Sequence, residues 1–69
     1  MNIIYSEHAN KRLKQRGISL LDVEHVLEFP DYVKKSLKNM FEAYGEVKGR
    51  KLKVVFIKKE SYIKVITVI

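Results

Sequence analysis

His8, Arg12 and Arg16 stand four residues apart in the stretch His8-Ala9-x-x-Arg12-x-x-x-Arg16-Gly17-Ile18. On a helix, this i, i+4, i+8 spacing lines them along one drifting stripe. One imidazole beside two guanidiniums suits phosphodiester cleavage. A neutral imidazole can accept the proton of a 2′-hydroxyl, and an imidazolium can protonate the leaving oxygen. Guanidiniums can hold a phosphate bidentately and stabilise charge growing on its equatorial oxygens. Such a reaction needs no metal and no cofactor. The chain has no cysteine, and His8 and His25 are its two imidazoles, too few for a closed zinc site. The same spacing has a structural use. A histidine in a first helical turn can bond backbone, and arginines one turn apart can lay their stems over a core edge. Spacing alone does not decide between catalysis and structure.

A second constellation lies further along the chain, in Tyr44, Arg50, Lys51, Lys53 and Lys64. Lysines fix backbone phosphates and tyrosines stack on bases, so these residues are candidates for binding RNA. The competing reading is a solvated sheet face with cross-strand pairs such as Glu46–Lys51. Charge supports a polyanionic partner. The chain carries +6, with fourteen Lys and Arg against eight Asp and Glu. Residues 1–30 balance four basic against four acidic, whereas residues 31–69 hold ten basic and four acidic. The whole excess sits in the second half, where RNA, an acidic protein or a lipid surface would feel it.

The elements that must position these groups can be read from caps and turns. Residues 2–5 read as a short extended segment. Ser6 is a good N-cap for a helix that runs to about Arg16, where Gly17 supplies a left-handed end. Ser19 opens a second helix with Asp22 completing a capping box, and Pro30 stops it near Glu28 or Phe29. Leu20, Val23 and Leu27 make its apolar stripe, and Phe29 reads as a plug in the core. Strand candidates follow at Tyr32 to Leu37, Met40 to Val47, Arg50 to Lys58 and Tyr62 to Ile69. A two-residue turn at Lys48-Gly49 pairs Val47 with Arg50, Gly45 with Leu52, Ala43 with Val54, and Phe41 with Phe56. Those small and apolar residues share one face. Glu46–Lys51, Tyr44–Lys53 and Glu42–Val55 take the other. A final turn of even length adds Ile63, Val65, Thr67 and Ile69 to the core face. The expected fold is α+β, with two N-terminal helices packed on an antiparallel sheet of three or four strands.

The helical stretch, followed by Ser-Leu-Leu-Asp-Val-Glu-His-Val-Leu-Glu-Phe-Pro-Asp and ending in Ile-Lys-Val-Ile-Thr-Val-Ile, resembles a small prokaryotic domain family of unknown function. That family is typified by the His-Ala-x-x-Arg-x-x-x-Arg-Gly-Ile motif and is similar to toxins of the RelE and BrnT type. The resemblance covers nearly the whole chain. It implies a RelE-like layout, a toxin-like ribonuclease and an antitoxin as partner. His8, Arg12 and Arg16 match the motif residue by residue. Toxins of this type often use basic and tyrosine residues near the sheet, which is where Tyr44, Lys51, Lys53 and Lys64 fall.

With 69 residues and 8.1 kDa, the chain is read as one domain over residues 1–69. No apolar run reaches the roughly 20 residues of a membrane span, and no signal peptide is evident, so a cytoplasmic location is expected. Three functions remain open from the sequence. The first is a toxin-type domain of a toxin–antitoxin system, acting as a metal-independent endoribonuclease on RNA, ribosome-associated RNA included. The second is a non-catalytic nucleic-acid-binding module. The third is an interaction domain completed by an acidic partner segment.

Overall fold

Two serines open the two helices. In a computed structural model that describes residues 2–69, α1 spans Glu7–Arg16 and α2 spans Leu20–Glu28. The Ser6 hydroxyl accepts from the Ala9 N–H at 3.0 Å, satisfying a donor that the first turn leaves without a helical partner. Gly17 sits at φ 65° and ends α1. Its N–H reaches the Lys14 carbonyl at 3.3 Å, and the Ile18 N–H reaches the Leu13 carbonyl at 2.9 Å. These are the two bonds of a Schellman end, and the buried Leu13 and Ile18 supply its apolar contact. Ser19 and Asp22 form a reciprocal capping box on α2.

Five strands make one sheet: β1 (Ile3–Tyr5), β2 (Tyr32–Leu37), β3 (Met40–Val47), β4 (Arg50–Lys58) and β5 (Ile63–Val68), in the order β1-β5-β4-β3-β2. Strands β2 to β5 pair antiparallel. β1 pairs parallel with β5, Ile3 opposite Ile63 and Tyr5 opposite Val65. The sheet is therefore five-stranded and mixed, which corrects the expected antiparallel sheet of three or four strands. The α+β class stands. A three-residue segment is too short to show period-two alternation, and its partner lies at the far end of the chain. Ser6 ties this join. Besides capping α1, its hydroxyl donates to the Ile66 carbonyl at 2.8 Å.

The β3–β4 hairpin has the register expected from Lys48-Gly49, with Val47 opposite Arg50 and Phe41 opposite Phe56. Lys48 and Gly49 lie at φ 55° and 76°, the paired positive values of a type I′ turn. The last strand departs from expectation. Phe56 faces Val65, but Val55 faces Thr67 and Val54 faces Val68, so Ile66 is the extra residue of a bulge. Ile63 and Val65 point toward the helices as expected. Beyond the bulge it is Val68, not Thr67 or Ile69, that enters the core.

α1 packs on β5, while α2 packs on β3 and β4. Ala9, Val23, Val26, Val54, Val65 and Val68 are fully buried between helices and sheet. Gly45 allows α2 its close approach. A Cβ there would lie 3.2 and 3.3 Å from the two methyl carbons of Val26. This seat rolls α2 so that Val23 and Val26 form its buried stripe, in place of the expected Leu20, Val23 and Leu27. Leu20 is 50% exposed, and Leu27 is half-buried at the rim. Phe29 is 66% exposed, so it does not plug the core. Among the described residues, no helix is long and apolar enough to cross a membrane.

Candidate nucleic-acid interface on the open sheet face

The stripe on α1 keeps its helical spacing, and its three members meet different surroundings. His8 is exposed, which removes the alternative of a buried histidine pinned to backbone. Arg12 is half-buried, and its Nε is buried without a hydrogen-bond partner. Arg16 is exposed at the end of the helix. Asn10 and Lys14 line the cleft between α1 and Leu20 of α2. By the 3.6-residue turn, His8, Arg12 and Arg16 therefore occupy the opposite flank of α1, away from α2. At about 6 Å of rise between members, imidazole and the Arg12 guanidinium can share one phosphate.

The other candidates divide between the two sides of the sheet. Arg50 lies on the helix side, where its Nη2 donates to the Arg16 carbonyl at 2.6 Å. It thus neutralises the negative end of the α1 dipole and joins the β3–β4 turn to the helix. The turn makes a second tie nearby, Lys48 Nζ to Asp22 Oδ1 at 3.8 Å. Tyr44, Lys51, Lys53 and Lys64 lie on the face opposite the helices, as pairing parity requires. The structure does not bring them together with the α1 stripe, because the sheet stands between.

Cross-strand pairing arranges the open face in rows. Glu46 and Lys51 make one row. Tyr32, Tyr44 and Lys53 make the next, followed by Lys34, Glu42, Val55 and Thr67, and then by Met40, Ile57, Lys64 and Ile4. Rows on one face repeat every two residues, or about 7 Å. Lys53 and Lys51 therefore stand side by side on β4 next to Tyr44, while Lys64 stands roughly 14 Å further along among aliphatic side chains. Tyr32 and Tyr44 stack with ring centroids 4.5 Å apart and planes 12° apart. Tyr32, Tyr44, Lys51 and Asp31 border a cavity of about 180 Å³. The outer face of the 57% exposed Tyr32 is open to a further ring.

Tyr44 donates its hydroxyl proton to Glu42 Oε1 at 2.7 Å. That bond, together with desolvation and the nearby Glu42 and Tyr32, pushes the phenol up to about 12. Tyr44 is therefore a neutral ring at physiological pH, suited to stacking and not to accepting a proton. Sequence reading missed Tyr32 and Lys34 on this face. Their placement depends on the β2–β3 register, which slips between Lys35 and Leu37. No left-handed residue marks the Lys38-Asn39 turn, so no local signal set that register.

Two helices on one side of a five-stranded mixed sheet, with a lysine- and tyrosine-bearing face left open on the other, define an α+β domain with a basic surface. The family model described as "Domain of unknown function (DUF4258)" matches residues 5–69, and the chain belongs to that family. No curated protein and no solved structure matches it.

Proposed function

We propose that the open sheet face binds single-stranded RNA and that the domain is toxin-like, with an acidic antitoxin-type protein as its partner. The row Tyr32–Tyr44–Lys53, flanked by Lys51 on a face that no helix covers, carries this reading. The stacked rings offer a platform to bases, and the two lysines beside them on β4, one row apart, meet successive phosphates. Glu42 and Glu46 on the same face temper the charge and disfavour duplex-level phosphate density. The test is a titration of labelled single-stranded RNA at several salt concentrations. Lys51→Glu with Lys53→Glu should weaken binding and flatten the salt dependence by about 1.4 in log–log slope, two contacts at 0.7 each. Unchanged affinity and slope in the folded double variant would reject this face.

Cleavage by the α1 stripe is a second reading, favoured by one observation. An exposed His8 stands one helical turn from an arginine whose Nε is left without a partner. In this reading His8 is the acid–base group, and Arg12 and Arg16 hold the phosphate and its developing charge. His8→Gln should lower metal-free RNA cleavage or cellular toxicity by about a hundredfold. Full activity in a folded His8→Gln protein would remove the histidine from the mechanism.

A further inference from the structure

We propose that the free edge of β2 takes an extended segment of a partner protein, in which apolar residues alternate with Asp or Glu. All six residues of β2 are exposed, and the strand ends the sheet. An unpaired edge offers every second N–H and C=O to an incoming strand. The helix side of this edge opens onto an apolar groove of about 280 Å³, lined by Leu27, Val33, Phe41, Phe56, Lys58 and Ile63. Val33 is 49% exposed at its mouth, and Phe41 and Phe56 stack behind it at 5.5 Å. α2 ends at Glu28 and leaves this stretch of sheet uncovered.

Charge selects the occupant. Val33 and Lys35 point to the groove side, and Lys34 points to the open face beside Glu42. A second copy pairing antiparallel through the same edge about Lys34 would set that lysine opposite its own equivalent, with Lys35 of each chain one position away, and like charges directly opposite destabilise a strand pair. The same charge that disfavours a second copy attracts a strand whose carboxylates lie on the open face against Lys34 and whose apolar residues lie on the groove face, along Val33 and the stem of Lys35. Apolar side chains of that strand would lie beside Val33 and extend the groove's lining outward. The bulge between Lys35 and Leu37 limits regular pairing to the first half of β2, so the recognised segment is short.

This inference rests on the partner half of the proposed function and not on RNA binding. The Lys51 and Lys53 variant tests the latter on β4, two strands from the β2 edge, so the two can fail separately. A displayed library of random short peptides would be selected against the full chain, with the Lys34→Glu/Lys35→Glu variant as the counter-target. The enriched peptides should alternate apolar and acidic residues. A synthetic copy of one should shift the amide resonances of Val33 to Lys35 and slow their exchange. The double variant should bind it roughly tenfold more weakly, with an unchanged thermal melt. Enrichment of peptides without acidic residues, binding that maps away from β2, or no enrichment at all would overturn the proposal. Reversible self-association of the unmodified chain, abolished by the same two substitutions, would assign the edge to a second copy instead.

Discussion

The two edges of the sheet are built to opposite ends. At one, α1 lies on β5, Val65 and Val68 are fully buried, and Ser6 ties the helix to the strand. At the other, every residue of β2 is exposed, including Tyr32, Val33 and Leu37. Geometry forces a choice of this kind. Two helices side by side span roughly 20 Å, and five strands span about 24 Å, so one strand is left out. Connection length decides which. α1 follows β1 after the single residue Ser6 and cannot leave that side, whereas α2 reaches β2 through Phe29, Pro30 and Asp31. The β1 side is thus committed to stability, and the β2 side and the open face remain available for partners.

Substitutions at the two sides should separate sharply, and the largest difference is expected between two leucines. Leu13 is 5% exposed beneath α1, and Leu37 is 67% exposed on β2. Leu13→Ala should cost about 2–5 kcal/mol, a large share of the stability of so small a domain. Leu37→Ala should fall within about 0.5 kcal/mol of the unmodified protein. Urea unfolding of both variants checks the pair. Equal costs would mean that β2 is covered in solution and would end the distinction.

A smaller effect is expected where the committed side meets the available one. Gly45 lies on β3, next to β2, and its missing Cβ seats Val26 of α2. Gly45→Ala would place a methyl 3.2 Å from a Val26 methyl, so α2 or the strand must give. Overpacking of this kind costs about 1–3 kcal/mol. Since α2 is held through Val23 as well, the helix should shift and not detach. A melt as stable as the unmodified protein would show that Val26 has room, and that Gly45 does not fix the roll of α2.

How far the sequence reveals this arrangement follows the range of each signal. Ser6, Gly17, Ser19 and Asp22 act on residues within one turn, and the helices they bound are legible. Lys48-Gly49 acts across two residues and sets the whole β3–β4 register. The β1–β5 pairing joins Ile3 to Ile63, and no local chemistry announces it. The bulge at Ile66 is likewise invisible, because Ile, Thr and Val fill either face equally well. At the site, Tyr44, Lys51 and Lys53 were legible through the hairpin. Arg50 groups with them by charge alone, and its pairing with Val47 puts it on the helix side. Tyr32 stays hidden because only the β2–β3 register, irregular near its turn, sets it beside Tyr44.

The smallest effect should appear on the open face, as a titration and not as a change in fold. Tyr44 rises from the ordinary tyrosine value of 10.0 to about 12, chiefly through its bond to Glu42. Tyr5 is also raised, by burial first and by Glu24 second, and it lies on the committed side of the sheet. Glu42→Gln removes the carboxylate beside Tyr44 and leaves the surroundings of Tyr5 intact. Ring resonances followed with pH should therefore show Tyr44 falling back toward 10.0 and Tyr5 unmoved. The sign of the stability effect follows from which form the fold prefers. A phenol whose folded value exceeds its unfolded one favours folding while it is neutral, so the contribution is whole below pH 10.0 and is lost as pH climbs toward about 12. In Glu42→Gln that alkaline loss from Tyr44 should shrink, while the melt at neutral pH changes little, because the site faces solvent. If Tyr5 and Tyr44 moved together, the two sides of the sheet would be coupled, and the division between a stabilising edge and an available face would fail.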